Sequence, residues 1–248
     1  MSAAAPHPPR PELVRVYVWE WPVRITHWLI AASIVVLSVT GFYIGRPFVT
    51  VSGPAQAHFV TGTAKVIHFY AAIVFTLSVL SRIVWMFLGN QYARWDKFLP
   101  VRKRRRLGLA PTLKFYLFRL RKPPGFVGHN PLAGETYTLV FLLYFLQILT
   151  GLTLYSVSAS GGSPIHAFQR FVPLFGGLTA ARFLHHVVMW LLLGFAVHHV
   201  YSAILMSQVE GNATIESIFS GYKFVPEEDM FYSGYRYVER ERPEKVIR

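Results

Sequence analysis

Apolar residues along this chain gather into four windows, Ile25 to Ile44, Val66 to Leu88, Thr136 to Val157 and Arg182 to Met206, with polar or basic stretches between them. Each window reaches the ~20 residues that a helix rising 1.5 Å per residue needs to cross about 30 Å of hydrocarbon. The pattern predicts four transmembrane helices and a single domain over residues 1–248. The segment before the first window contains Pro8, Pro9, Arg10 and Pro22, and no A-x-A-type site follows the window. That window therefore reads as a retained helix rather than a cleavable leader.

Composition agrees with this reading. Of the 248 residues, 53% are hydrophobic and only 15% charged, too apolar a balance for an ordinary soluble domain. Twenty of the 25 Lys and Arg fall in the N-terminal arm, the loop 89–135 and the C-terminal tail. Arg46, Lys65, Arg170 and Arg182 lie in the two other loops or at their helix ends, and Arg82 lies inside the second helix. The positive-inside rule then predicts both termini and the "RKRRR" loop in the cytoplasm. It also accounts for the net charge of +13 without nucleic acid, since a basic run beside a membrane helix serves as a topology signal or an anionic-lipid contact. The chain has no cysteine, which excludes disulfides, thiolate metal sites, iron–sulfur clusters and covalent C-x-x-C-H haem. Metal chemistry here must use histidine.

Four of the ten histidines, His7, His58, His129 and His166, fall in the arm or loops; His27, His68, His185, His186, His198 and His199 fall in or at the helices. With alternating helix directions, His27, His198 and His199 lie at the cytoplasmic level, and His68, His185 and His186 at the outer one. Helical periodicity chooses within the pairs. At 100° per residue a spacing of 14 ends about 40° short of four turns, so His185 and His199 share a face roughly 21 Å apart along the axis. Spacings of 13 and 12 miss by about 140° and 120°. The inferred pairs are His27 with His199 and His68 with His185.

Two stacked sites, each with two neutral imidazoles from facing helices, suit bis-histidine b-type haem in an all-α, integral membrane four-helix bundle. Thr40-Gly41 and Thr150-Gly151 occupy similar places in the two outward-running helices, a faint repeat of small residues that suits either a haem slot or ordinary close helix packing. Arg24 and Arg82 at the inner level, and Lys65 and Arg182 at the outer, are candidate partners of haem propionates. Snorkelling to headgroups is the alternative for Arg24, Lys65 and Arg182, while the deeper Arg82 calls for a buried partner. All twelve acidic residues lie outside the apolar cores. That argues against a histidine-lined metal-ion permease, which needs intramembrane carboxylates. A purely structural anchor would leave the layered histidines unexplained.

Several stretches resemble a known family: "VYVWEWPVRITHWL" at the start, "AKVIHFYAAIVF" entering the second helix, "ARFLHHVVMW" and "VHHVYSAI" in the fourth, and "SIFSGYKF" after it. Over nearly its whole length the chain resembles the b-type cytochrome subunit of membrane-bound [NiFe] hydrogenases, within the wider di-haem cytochrome b group that also serves formate dehydrogenases. "VYVWE" and "SGYKF" are closer to the hydrogenase branch. The resemblance places the four axial haem ligands at His27, His68, His185 and His199, in agreement with the periodicity, and implies two haem b groups. It implies that the chain sits in the bacterial inner membrane and passes electrons to quinone. The donor would be a periplasmic hydrogenase of small and large subunits, the small one contacting this chain. The chain would not itself split hydrogen, since it has no cysteine to hold a nickel–iron centre.

The segment "GHNPLAGETYT" before the third helix resembles an Asn-containing stretch near the quinone pocket of the formate branch, with altered spacing. Asn130 is thereby a candidate hydrogen-bond donor to a quinone carbonyl, and His129 and Glu135 candidate proton relays. Ordinary loop chemistry also accounts for them, Asn130-Pro131 as a turn and Glu135 at a helix N-terminus. The nearly uncharged outer loops, "TVSGPAQAHFVTGT" and "SASGGSPIHAFQRFVPLFGGL", suit either a docking partner or the membrane interface.

Overall fold

The structure is a computed structural model that describes residues 13–48, 53, 59–121, 124–226 and 245–246; His7, His58 and most of the C-terminal tail lie outside these. In chain order the elements are strand β1 (Leu13–Tyr17) and helices α1 (Trp21–Gly45), α2 (Val60–Leu88), α3 (Lys103–Tyr116), α4 (Pro131–Ser156), α5 (Leu178–Glu210) and α6 (Thr214–Ser220), then strands β2 (Tyr222–Pro226) and β3 (Lys245–Val246). Short 3-10 segments lie at Trp95–Lys97 and Pro164–Phe171.

Helices α1, α2, α4 and α5 correspond to the four apolar windows, and each is long and apolar enough to cross a membrane. All four begin before their window does. Helix propagation depends on cooperative backbone bonding rather than on apolar side chains, so it runs on through polar residues such as Arg24 and Lys65. Local signals set the starts. Pro22 and Pro131 fall at the first positions of α1 and α4, where the missing N–H costs nothing. Asn130 caps α4, its Oδ1 accepting from the Ala133 N–H at 2.8 Å.

The chain forms two compact units. One comprises residues 21–88 and 136–201, the greater part of the four long helices. Its core is Ile30 of α1, Phe75 and Val79 of α2, Val140 and Tyr144 of α4, and Val188 and Leu192 of α5. Phe75 and Tyr144 meet edge to face with centroids 5.1 Å apart, an arrangement that aromatic quadrupoles favour. Side chains such as Val35, Leu77, Leu142 and Val197 point outward and exposed, as a lipid-facing surface requires. No Asp or Glu occurs anywhere in this unit.

The other unit comprises residues 1–20, 89–135 and 202–248. Here the all-α expectation is corrected, because the unit contains an antiparallel sheet in the order β2-β1-β3. Leu13 pairs with Pro226 and Tyr17 with Tyr222, while Leu13 also pairs with Val246 on the far side. β1 alternates as a half-buried strand should, with Val14 and Val16 buried and Arg15 stacked 3.9 Å over the Tyr222 ring. Gly221 ends α6 with φ at 90°, and a side chain there would collide with Tyr17 and the Trp19 carbonyl. Only glycine fits.

The basic run also does more than the sequence suggested. It opens α3, and Arg105, only 7% exposed, donates to the carbonyls of Lys97 (2.6 Å), His129 (3.1 Å) and Asn130 (3.2 Å). Arg102 reaches Asp96 at 2.7 Å. Part of the run is therefore an internal tie that holds the loop against the start of α4.

Candidate functional site: two levels of histidine

The four long helices share one spacing. His27 and Gly41 on α1, His68 and Arg82 on α2, Tyr137 and Gly151 on α4, and His185 and His199 on α5 are each fourteen residues apart. Each helix thus presents one face at two depths about 21 Å apart.

At one depth the contacts centre on His68 and His185. Thr40 Oγ1 lies 2.8 Å from His68 Nδ1, and Thr150 Oγ1 lies 2.9 Å from His185 Nδ1. The glycine after each threonine leaves room for the imidazole edge: a Cβ at Gly41 would stand 3.5 Å from His68 Cε1, and one at Gly151 3.2 Å from His185 Cε1. Gln147 Nε2 approaches His185 Nε2 at 3.1 Å, and Gln147 Oε1 is buried without a hydrogen-bond partner. His186 faces elsewhere, bonding through Nδ1 to the Arg182 carbonyl of its own helix at 2.8 Å.

At the other depth His27 and His199 face each other with ring centroids 6.1 Å apart. His27 Nδ1 is buried and meets no hydrogen-bond partner. His199 stacks on Phe195 at 5.5 Å, and its Nδ1 lies 3.5 Å from the Tyr137 hydroxyl. His198 is exposed.

Of the four cationic candidates, Arg24 is 5% and Arg82 7% exposed, whereas Lys65 and Arg182 lie exposed. Arg24 stacks 3.9 Å over the Trp21 ring.

The Asn130 group belongs to the other unit. Its side-chain oxygen is committed to capping α4, and its Nδ2 lies 3.4 Å from the Tyr116 hydroxyl. Burial pushes the Tyr116 phenol above its ordinary value, against a smaller pull from Asn130. His129 is packed between Trp19 and Phe98, with centroids at 4.7 and 5.7 Å. Glu135 Oε1 is buried without a hydrogen-bond partner.

Sequence reasoning passed over Tyr137, Gln147 and the hydroxyls of Thr40 and Thr150. Tyr137 was within reach of the fourteen-residue spacing, which counts back to it from Gly151. Gln147 lies one turn before Gly151 and had no such signal.

The donor set has a definite chemistry. Among the described residues, no three His, Asp or Glu side chains gather as a metal cage, so tetrahedral zinc is not what the levels suit. Each offers two neutral imidazoles from different helices, the ligand count of an iron held axially in a planar macrocycle. The buried atoms left without protein partners, His27 Nδ1 and Gln147 Oε1, sit beside these same groups.

Comparison with known proteins supplies the family. The sequence model of the prokaryotic cytochrome b561 family matches residues 18–221. A protein of Escherichia coli called probable Ni/Fe-hydrogenase 1 B-type cytochrome subunit is 37% identical over 217 residues, covering 85% of this chain and 92% of that one. Probable Ni/Fe-hydrogenase B-type cytochrome subunits of Cupriavidus necator and Bradyrhizobium diazoefficiens are 38% and 39% identical, covering 84% and 83% of this chain and 86% and 85% of theirs. With its four membrane-crossing helices and its histidines at two depths, the chain belongs to the prokaryotic cytochrome b561 family, multi-pass membrane proteins for which haem b is the implied cofactor.

Proposed function

We propose that this chain is the di-haem cytochrome b through which a periplasmic [NiFe] hydrogenase, by way of its small subunit, reduces quinone in the bacterial inner membrane. His68 and His185 hold the outer haem and His27 and His199 the inner one, with both termini and the loop 89–135 in the cytoplasm. The observation that carries the reading is the pairing of imidazoles from different helices at two depths on one fourteen-residue spacing. The hydrogenase assignment draws on the relatives' names, and the orientation on the basic residues outside the apolar windows.

Bound haem supplies a one-electron iron couple at each level. The protein does the rest. Buried Arg24 and Arg82 are the residues that would meet haem propionates at the inner level. Exposed Lys65 and Arg182 do so at the outer rim or meet headgroups. Hydrogen yields two protons and two electrons outside, and quinone takes up two electrons and two protons to become quinol. Asn130 Nδ2 donates to a quinone carbonyl, and Glu135, with one buried oxygen unpartnered, passes a proton inward together with His129.

The test is a redox difference spectrum of native membranes given hydrogen and then dithionite, against membranes lacking this chain. A b-type signal produced by hydrogen and absent from the deletion strain supports the proposal. A signal produced by dithionite alone would move the donor to another enzyme, such as a formate dehydrogenase; no signal with either would remove the haem assignment.

A further inference from the structure

We propose that Thr40 and Thr150 are positioning residues that fix the tautomer of the two outer ligand imidazoles and thereby make the outer site the more electron-rich of the two. The inference rests on the haem assignment above. Each threonine hydroxyl has a single proton and sits 2.7 Å from the carbonyl of the residue four before it, Val36 for Thr40 and Leu146 for Thr150. Two oxygens at that separation need a proton between them, and only the hydroxyl has one. What Thr40 shows to His68 Nδ1 at 2.8 Å, and Thr150 to His185 Nδ1 at 2.9 Å, is therefore a lone pair. A lone pair can be met only by an N–H. Both rings carry their proton on Nδ1 and leave Nε2 as the ligating lone pair.

A second contact on one ring gives the same answer: Gln147 Nε2 lies 3.1 Å from His185 Nε2, and an amide N–H there meets the lone pair expected on that nitrogen. Thr-Gly thus acts as a two-residue clamp, used once on α1 and once on α4: the hydroxyl orients the ring and the glycine makes space for it.

The inner level has no such clamp. His27 Nδ1 lacks a partner, and the hydroxyl nearest His199 Nδ1 is 3.5 Å away. An imidazole that donates its N–H is the more basic ligand and favours ferric iron. That difference sets the outer site at the lower potential.

The experiment is a potentiometric titration of the haem absorbance of the full chain carrying Thr40→Val or Thr150→Val, beside the matching serine variants. Valine keeps the shape and removes the acceptor. The expected result is an upward shift of one of the two potentials, with haem content retained and the wild-type value restored by serine. Unmoved potentials at full haem content would overturn the proposal. Should a valine variant lose its haem, the serine variant decides: wild-type haem and potential uphold the hydroxyl's role, and loss there too overturns it. A wild-type chain without b-type absorbance would instead be a failure of the haem reading itself.

Discussion

A side chain at Gly151 would begin 3.2 Å from Cε1 of His185, closer than most such contacts allow, so α4 lies against this imidazole because the residue there is glycine. Gly151→Val should displace the ring and cost about 1–3 kcal/mol in overpacking. On the proposed di-haem reading, the measurable result is one haem per chain in place of two. Gly194→Val is the control, because nothing lies within 4 Å of a side chain at that position; it should keep both.

The two neighbouring histidines of α5 make a sharper pair. His185→Ala should lose the outer haem, since the ring contacts Thr150 and Gln147 of α4. His186→Ala should keep it, because that ring bonds the Arg182 carbonyl of its own helix. Haem content by pyridine haemochrome decides, and the opposite pattern would shift the register of α5 by one residue.

Asn130 can be separated into two parts. Its oxygen caps α4 and its amide nitrogen is the proposed quinone donor. Asn130→Ala loses both and should cost about 1 kcal/mol of stability as well as slowing quinone reduction. Asn130→Asp keeps the cap, so thermal stability should hold while quinone reduction alone slows. Equal rates in Asn130→Asp and wild type would remove the residue from the quinone site.

Tyr92 gives a pH dependence outside the membrane helices. Burial raises its phenol from 10.0 to about 12, against a smaller opposing bond from Gln91. The folded state thus keeps a proton that the unfolded chain releases near pH 10. Stability from this group is complete below pH 10 and is lost as the pH rises from 10 to about 12. Tyr92→Phe should flatten that part of the alkaline melting curve; an unchanged slope would place the loss at another group.

The membrane part of this molecule was readable because its signals are long or periodic. A twenty-residue apolar window needs no tertiary knowledge, and the spacing of His185 and His199 follows from helical geometry alone. What escaped depends on partners distant in sequence. β1 is five residues long and pairs Leu13 with Pro226, so no local pattern announces the sheet. Arg105 looks like any member of a basic run until three backbone carbonyls converge on it. The hydroxyls of Thr40 and Thr150 read as small packing residues because their targets lie on other helices.

The middle of the bundle carries a consequence of its own. Phe75 is seven residues from both His68 and Arg82, Tyr144 seven from both Tyr137 and Gly151, and Leu192 seven from both His185 and His199. These side chains belong to a closed apolar core, which acts as the dielectric of a capacitor between two polar plates. Proton wires need a connected chain of donors and acceptors; here Phe75, Val79 and Leu192 offer only hydrocarbon and aromatic faces, and the nearby buried Ser78 hydroxyl is committed to the Val74 carbonyl of its own helix. On the proposed reading, negative charge moves inward without a companion proton, against a resting membrane voltage that is negative inside. Moving one charge across the full membrane costs about 2.3 kcal/mol per 100 mV. Turnover by this protein would therefore slow as the cell's voltage rises, which couples the rate of hydrogen use to the energy state of the membrane.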